Sequence, residues 1–156
     1  MRETRDPGEA SATSDGNGRI LGLDLGSKRI GMAIADPDLA IALPDGVLER
    51  KGLARDLAAL AAFVKERGVS RIVVGHPIHM SGRRGPEAAA AEAFARALGE
   101  ATGLPVELQD ERWTSVEADR ALRASGHGAR ARRAHVDAVA ASLLLRAWLG
   151  RQRPGA

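Results

Sequence analysis

Three groups of carboxylates in this chain stand where packing alone does not account for them. Asp24 closes the apolar run from Ile20 to Leu25, at Asp24-Leu25-Gly26-Ser27, and an ion among apolar neighbours is costly unless compensated. Asp110 and Glu111 end a second run that alternates apolar and polar residues from Val106, in the string QDERWTS. Adjacent strand residues face opposite ways, so only one of that pair can share a face with Asp24. Asp137 heads the series Asp137, Ala141, Leu144, Leu145 and Trp148, which falls on one stripe of a helix and turns the acid toward a sheet rather than toward water. Each also has an ordinary reading: a turn residue for Asp24, a polar strand exit for Asp110 and Glu111, and a macrodipole partner for Asp137.

Open α/β sheets place their sites at the C-terminal ends of parallel strands. Three carboxylates gathered there cannot all stay ionised within a few ångströms. Either their proton affinities rise or a hard cation compensates. Mg²⁺ or Mn²⁺ suits an all-oxygen donor set and leaves positions for water and phosphate oxygens. Such ions generate hydroxide and stabilise the leaving oxygen in phosphodiester hydrolysis. Acids for metal and arginines for phosphate are the parts of a nuclease.

The elements that would carry these acids follow from periodicity. Ile20–Leu25 and Ile30–Ala35, joined by a tight polar turn, read as a hairpin. A third short strand is expected near Val47–Arg50, after the turn Pro44-Asp45-Gly46. Leu53, Leu57, Leu60, Ala61 and Val64 recur at helical spacing up to Gly68. Arg71–Gly75 reads as a central strand buried on both faces. His76 to Gly85 is a loop, and Pro86 opens an Ala-rich helix to about Gly99. Val106–Asp110 is a strand, and Thr114-Ser115-Val116-Glu117 is a capping box opening a helix to about Ser125. Gly126–Arg133 reads as a basic loop and His135–Gly150 as the last helix. Hairpins followed by βαβ crossovers give an α/β fold, a mixed sheet with helices on both faces.

Composition fits this outline. The 156 residues, 44% hydrophobic and 28% charged, suit a single domain over residues 19–150. Residues 1–18 are expected to be a disordered tail, and 151–156 a short one. With no cysteine, disulfide scaffolds, thiolate metal sites and cysteine nucleophiles are excluded. No apolar stretch is long enough to span a bilayer, and the N-terminus lacks the apolar core of a secretory signal, so the cytoplasm is expected. Twenty of the 23 basic residues are Arg, whose planar fork suits phosphate. Residues 111–156 carry nine basic groups against four acidic ones, consistent with a nucleic-acid partner.

The strings GLDLGSKRIGMAIAD (22–36), VVGHPIHMSG (73–82), QDERWTS (109–115) and HVDAVAASLLLRAWL (135–149), in that order, resemble the YqgF family, also called RuvX. These small bacterial proteins are related in fold to RuvC and the RNase H-like nucleases. The resemblance covers Arg19 to Leu149. It implies an RNase H-like fold with a five-stranded mixed sheet, an acidic metal site, and a role in maturing the 5′ end of pre-16S rRNA or in resolving Holliday junctions. It matches Asp24, Glu111 and Asp137 to the family's acids, with Asp110 in reserve for Glu111. It matches Lys28 and Arg29 to phosphate contacts beside the metal, and Arg112 and Thr114 to the D-E-R-x-T segment. The chain departs from the pattern at His79 and Ser81, where the family has Asn and Asp, and at His76, where a hydrophobic residue is common. These departures fall in a loop expected to contact substrate.

Three function classes follow. The first is a metal-dependent nuclease acting on precursor rRNA, or on branched DNA by the same chemistry, as a monomer or weak homodimer. The second is a non-catalytic RNA-binding ribosome assembly factor, in which Arg130, Arg132 and Arg133 supply phosphate contacts. The third is a nucleotide-binding half like those of sugar kinases and actin, which also open with Asp-x-Gly in a hairpin.

Overall fold

The structure, a computed structural model, describes residues 18–36, 38, 41–78, 81–110 and 129–152, with side chains in the last helix from Asp137 onward. Its elements are β1 (Arg19–Leu25), β2 (Arg29–Asp36), β3 (Ile41–Glu49), α1 (Leu53–Arg67), β4 (Val69–His76), α2 (Pro86–Thr102), β5 (Val106–Asp110) and α3 (Ala129–Arg151). The strands form one sheet in the order β3-β2-β1-β4-β5. The first three are antiparallel neighbours, whereas β4 lies parallel to both β1 and β5.

Strand alternation divides the core in two. Leu21, Leu23, Ile30, Met32, Ile72 and Val74 face α1 and α2, packing with Leu60, Val64, Phe94 and Leu98. Ile20, Ala33, Ala35 and Val73 face α3, packing with Ala141, Leu144, Leu145, Trp148 and Leu149. The α3 face of β1 and β2 is thus built from small residues, and the helix lies close to the sheet. A Cβ on Gly22 would stand 3.2 Å from the Ala141 carbonyl oxygen, and one on Gly31 only 1.9 Å from that of Asp137.

Several boundaries differ from the sequence reading. β3 begins at Ile41, not near Val47. Pro44-Asp45-Gly46 lies within this strand, where the register with β2 shifts between Gly31 and Ala33. Because β3 is an edge strand, Pro44 removes no necessary ladder bond. α3 starts at Ala129, so Arg130, Arg132 and Arg133 are helical positions rather than loop positions. Ala and Arg are strong helix formers, and their high propensity extends the helix upstream of its apolar stripe. β4 and α2 are longer than read, reaching His76 and Thr102. The expected N-terminal tail and the capping-box helix lie outside the described residues.

Candidate active site

The site is built at the end of the sheet where β1 turns into β2. Asp24 is the register partner of Gly31 across the antiparallel pair, so the two share a face. Gly31 lies directly beneath the backbone of Asp137 on α3. A residue with no side chain therefore allows the helix to set Asp137 at the corner occupied by Asp24. Arg29 completes the corner, its Nε donating to Asp137 Oδ2 at 3.1 Å. Among the described residues, Asp24 forms no ion pair. Gly26, Ser27, Lys28, Arg29 and Asp137 line an open recess of about 480 Å³, and Lys28 is exposed.

Burial pushes the Asp137 carboxyl above the ordinary aspartate range. The Arg29 hydrogen bond opposes this, and the charge of Asp24 adds to it. The two acids feel one another, and a single guanidinium does not offset the rise. The carboxylate oxygens of Asp24 and Asp137 are hard donors of the kind that suits a divalent cation.

The structure brings Asp24, Arg29 and Asp137 together, with Lys28 on the adjoining turn. It sets Asp110 apart. Asp110 is the register partner of His76 and has the alternation of Leu108, which packs on the α1/α2 side of the sheet. The reserve choice is therefore on the face opposite Asp24 and Asp137. Glu107 and Gln109, of the other alternation, hold α3: Trp148 Nε1 donates to Glu107 Oε1 at 3.0 Å, and Arg151 donates to Gln109. Glu111, Arg112 and Thr114 lie outside the described residues, as do the side chains of Arg130, Arg132 and Arg133. Among the described residues no cluster of three His, Asp or Glu forms a metal site.

A second polar cluster was not visible in the sequence. Glu92, midway along α2, accepts from Arg84 Nε at 2.7 Å and stands 2.7 Å from His76 Nε2. Ile78 bridges to Arg84 within the same loop, so Glu92 fastens both ends of this segment to α2. His76 is thereby engaged in a loop anchor, away from the acids. The one available signal was a lone acid inside the Ala-rich string AAAAEAFA.

The Arg84 hydrogen bond, helped by His76, lowers the Glu92 carboxyl from 4.5 to about 2. A depressed carboxyl contributes stability that is complete above its ordinary value and is lost as pH falls through the depressed one. Glu92→Gln is expected to speed hydrogen exchange at Ile78 and Arg84 at neutral pH. The thermal-stability difference from the native protein should then close as pH falls from 4.5 to about 2. Unchanged exchange at both amides would show that Glu92 does not hold the loop.

A five-stranded mixed sheet covered on both faces, with acids at one end of its first strand and last helix, defines an α/β protein of the RuvC, RNase H-like type. RuvC of T. thermophilus, solved in complex with a Holliday junction substrate, has this fold, with a TM-score of 0.50 at 13% identity over 83% of this chain and 96% of its own. Residues 18–151 match the family RuvX, described as Holliday junction resolvase, and the chain belongs to it. A relative from Anaeromyxobacter dehalogenans (strain 2CP-C) is 48% identical over 136 residues, 87% of this chain and 99% of its own. One from Chloroflexus aurantiacus (strain J-10-fl) is 45% identical over 134 residues, 86% and 88% of the two chains. Both carry the name "Putative pre-16S rRNA nuclease". The resemblance read from four sequence strings is thus borne out. The family places the chain among hydrolases that act on nucleic acids, and not with the nucleotide-binding halves. Among the described residues no helix is long and apolar enough to cross a membrane.

Proposed function

We propose that this protein is a divalent-metal-dependent nuclease that trims the 5′ extension of precursor 16S rRNA in the cytoplasm, as a monomer or weak homodimer. Residues 19–150 carry the activity. The observation that supports this most is the meeting of Asp24 and Asp137 over Gly31, beside the turn that bears Lys28 and Arg29. The names of the relatives support the choice of RNA.

Asp24, Glu111 and Asp137 would hold the metal. Glu111 has the same sequence alternation as Glu107 and Gln109, the strand residues that bind α3. When bound, Mg²⁺ or Mn²⁺ supplies the hydroxide nucleophile and neutralises charge on the leaving oxygen. Arg29 orients the Asp137 carboxylate through its Nε and leaves its remaining N–H groups for a phosphate oxygen. Lys28, exposed on the same turn, receives the neighbouring phosphate. Arg112, Thr114, Arg130, Arg132 and Arg133 extend phosphate binding beyond the scissile bond.

Incubating the purified protein with a 5′-extended pre-16S rRNA fragment and with a four-way DNA junction, in Mg²⁺, Mn²⁺ or EDTA, tests the substrate. Metal-dependent cutting of the RNA is expected. Cutting of the junction alone would replace this reading by that of a resolvase. RNA binding without cutting of either substrate would replace it by that of an assembly factor.

A further inference from the structure

The site described above makes no use of Asp56, the most deeply buried acid among the described residues, which lies on the opposite face of the sheet. Asp56, in the first turn of α1, is 2% exposed. Its Oδ1 accepts the backbone N–H of Lys51 at 2.9 Å, and its Oδ2 lies 3.7 Å from Arg50 Nε. It is not a cap of its own helix. The N-cap is Gly52, without a side-chain hydrogen bond, and Lys51 precedes it. Asp56 holds the approach to the helix, the Lys51 backbone by a hydrogen bond and the Arg50 guanidinium by a longer ion pair.

Arg50 in turn grips the turn between β1 and β2 at two points. Its Nη1 donates to the Gly26 carbonyl at 2.6 Å, and its backbone N–H donates to the Lys28 carbonyl at 2.9 Å. The guanidinium also lies 5.7 Å from the Phe94 ring centroid. Within the turn, the Gly26 N–H donates to the Arg29 carbonyl at 2.8 Å. The backbone that carries Lys28 and Arg29 is thus braced from the face of the sheet remote from Asp137. A guanidinium can meet a carboxylate, a carbonyl and an aromatic ring at once, which the single ammonium of Lys cannot. The Arg50 side chain is part-exposed, and an ion pair with one partner open to water adds little stability. A pair kept here, with its free end on the turn, has a positional use.

We infer that Arg50, aimed by Asp56, is a positioning residue that sets the phosphate-contacting turn Gly26–Arg29 without itself touching substrate. This rests on the reading of that turn as a phosphate contact.

The test is the salt dependence of binding to a labelled 5′-extended pre-16S rRNA fragment in EDTA, measured for Lys28→Ala, Arg50→Met and the double variant. Lys28→Ala should reduce the salt slope by about 1, as for one lost phosphate contact. Arg50→Met should reduce it by about the same, and the double variant by no more than either, because both act through one turn. A loss of about 2 in the double variant would make Arg50 an independent phosphate contact and overturn the inference. A silent Lys28→Ala would show instead that the phosphate reading of the turn is wrong, and the inference would fall with it.

Asp56→Asn keeps an acceptor for the Lys51 N–H and gives a second route should Arg50→Met fail to fold. Loss of its anchor should weaken RNA binding if Arg50 acts through the turn. If Arg50 met phosphate directly, freeing it from its acid would strengthen binding, which would also overturn the inference.

Discussion

Asp137→Asn is expected to lower the cleavage rate at least about 10²–10³-fold, the scale seen when one group that stabilises a developing oxyanion is removed. Its stability should move the other way, or not at all. Burial and the neighbouring Asp24 charge raise the proton affinity of Asp137 more than Arg29 lowers it. The folded protein therefore holds this group less comfortably as a carboxylate than water does. A raised carboxyl destabilises the fold progressively as pH rises past its ordinary value. At neutral pH in EDTA, removing the charge removes that penalty. Calorimetry should find the Asn variant melting at or above the native temperature. A melting temperature several degrees lower would mean that the Arg29 pair holds α3 in place and that Asp137 is structural. The activity loss could then be a folding loss.

Gly31→Ala should damage both stability and activity. A methyl group there would sit 1.9 Å from the Asp137 carbonyl oxygen and 2.3 Å from its carbon, both backbone atoms of a helix. No rotamer relieves such a clash, so α3 must lift or β2 must yield. Overpacking of this kind costs about 1–3 kcal/mol. Because the displaced backbone carries Asp137, a shift on the order of 1 Å is expected to lower cleavage about 10²-fold. Gly150→Ala, on the same helix but with no atom within 4 Å of the added methyl, is the control. It should be neutral or slightly stabilising, by helix propensity. Denaturant unfolding together with initial rates would decide. Equal behaviour of the two variants would remove Gly31 from the account of how the acids meet.

The parts of the fold that could be read from sequence are those with a period. The Asp137 stripe and the alternation of β1 and β2 give the two faces of the sheet because Leu21, Leu23, Ile20 and Ala33 obey a period of two. Gly126–Arg133 has no apolar period and reads as a loop, whereas the helix begins at Ala129, where Ala and Arg favour it by propensity. The bulge at Pro44-Asp45-Gly46 reads as a turn in the sequence because local residue types do not report that β2 continues the pairing on both sides.

The candidate site divides in the same way. Asp24 and Asp137 stood out as acids on apolar stripes. The choice between Asp110 and Glu111 required a register, and the pairing of Asp110 with His76 supplies the half that concerns Asp110. The seating of Gly31 under Asp137, the Arg29–Asp137 pair and the bond from Arg50 to Gly26 are contacts between residues distant in sequence. No spacing rule reports them. Arg29 was expected as a phosphate contact, and its bond to Asp137 adds a second role on the same side chain.

In the proposed reaction Asp24 and Asp137 act together through a divalent cation. The most direct test of this is cleavage by the purified native protein and by Asp24→Asn, side by side in Mg²⁺, Mn²⁺ and EDTA, with folding of both checked by circular dichroism. Cutting that requires the metal and disappears in a folded Asp24→Asn is the predicted result. Cutting that persists in EDTA, or at native rate in Asp24→Asn, would contradict it.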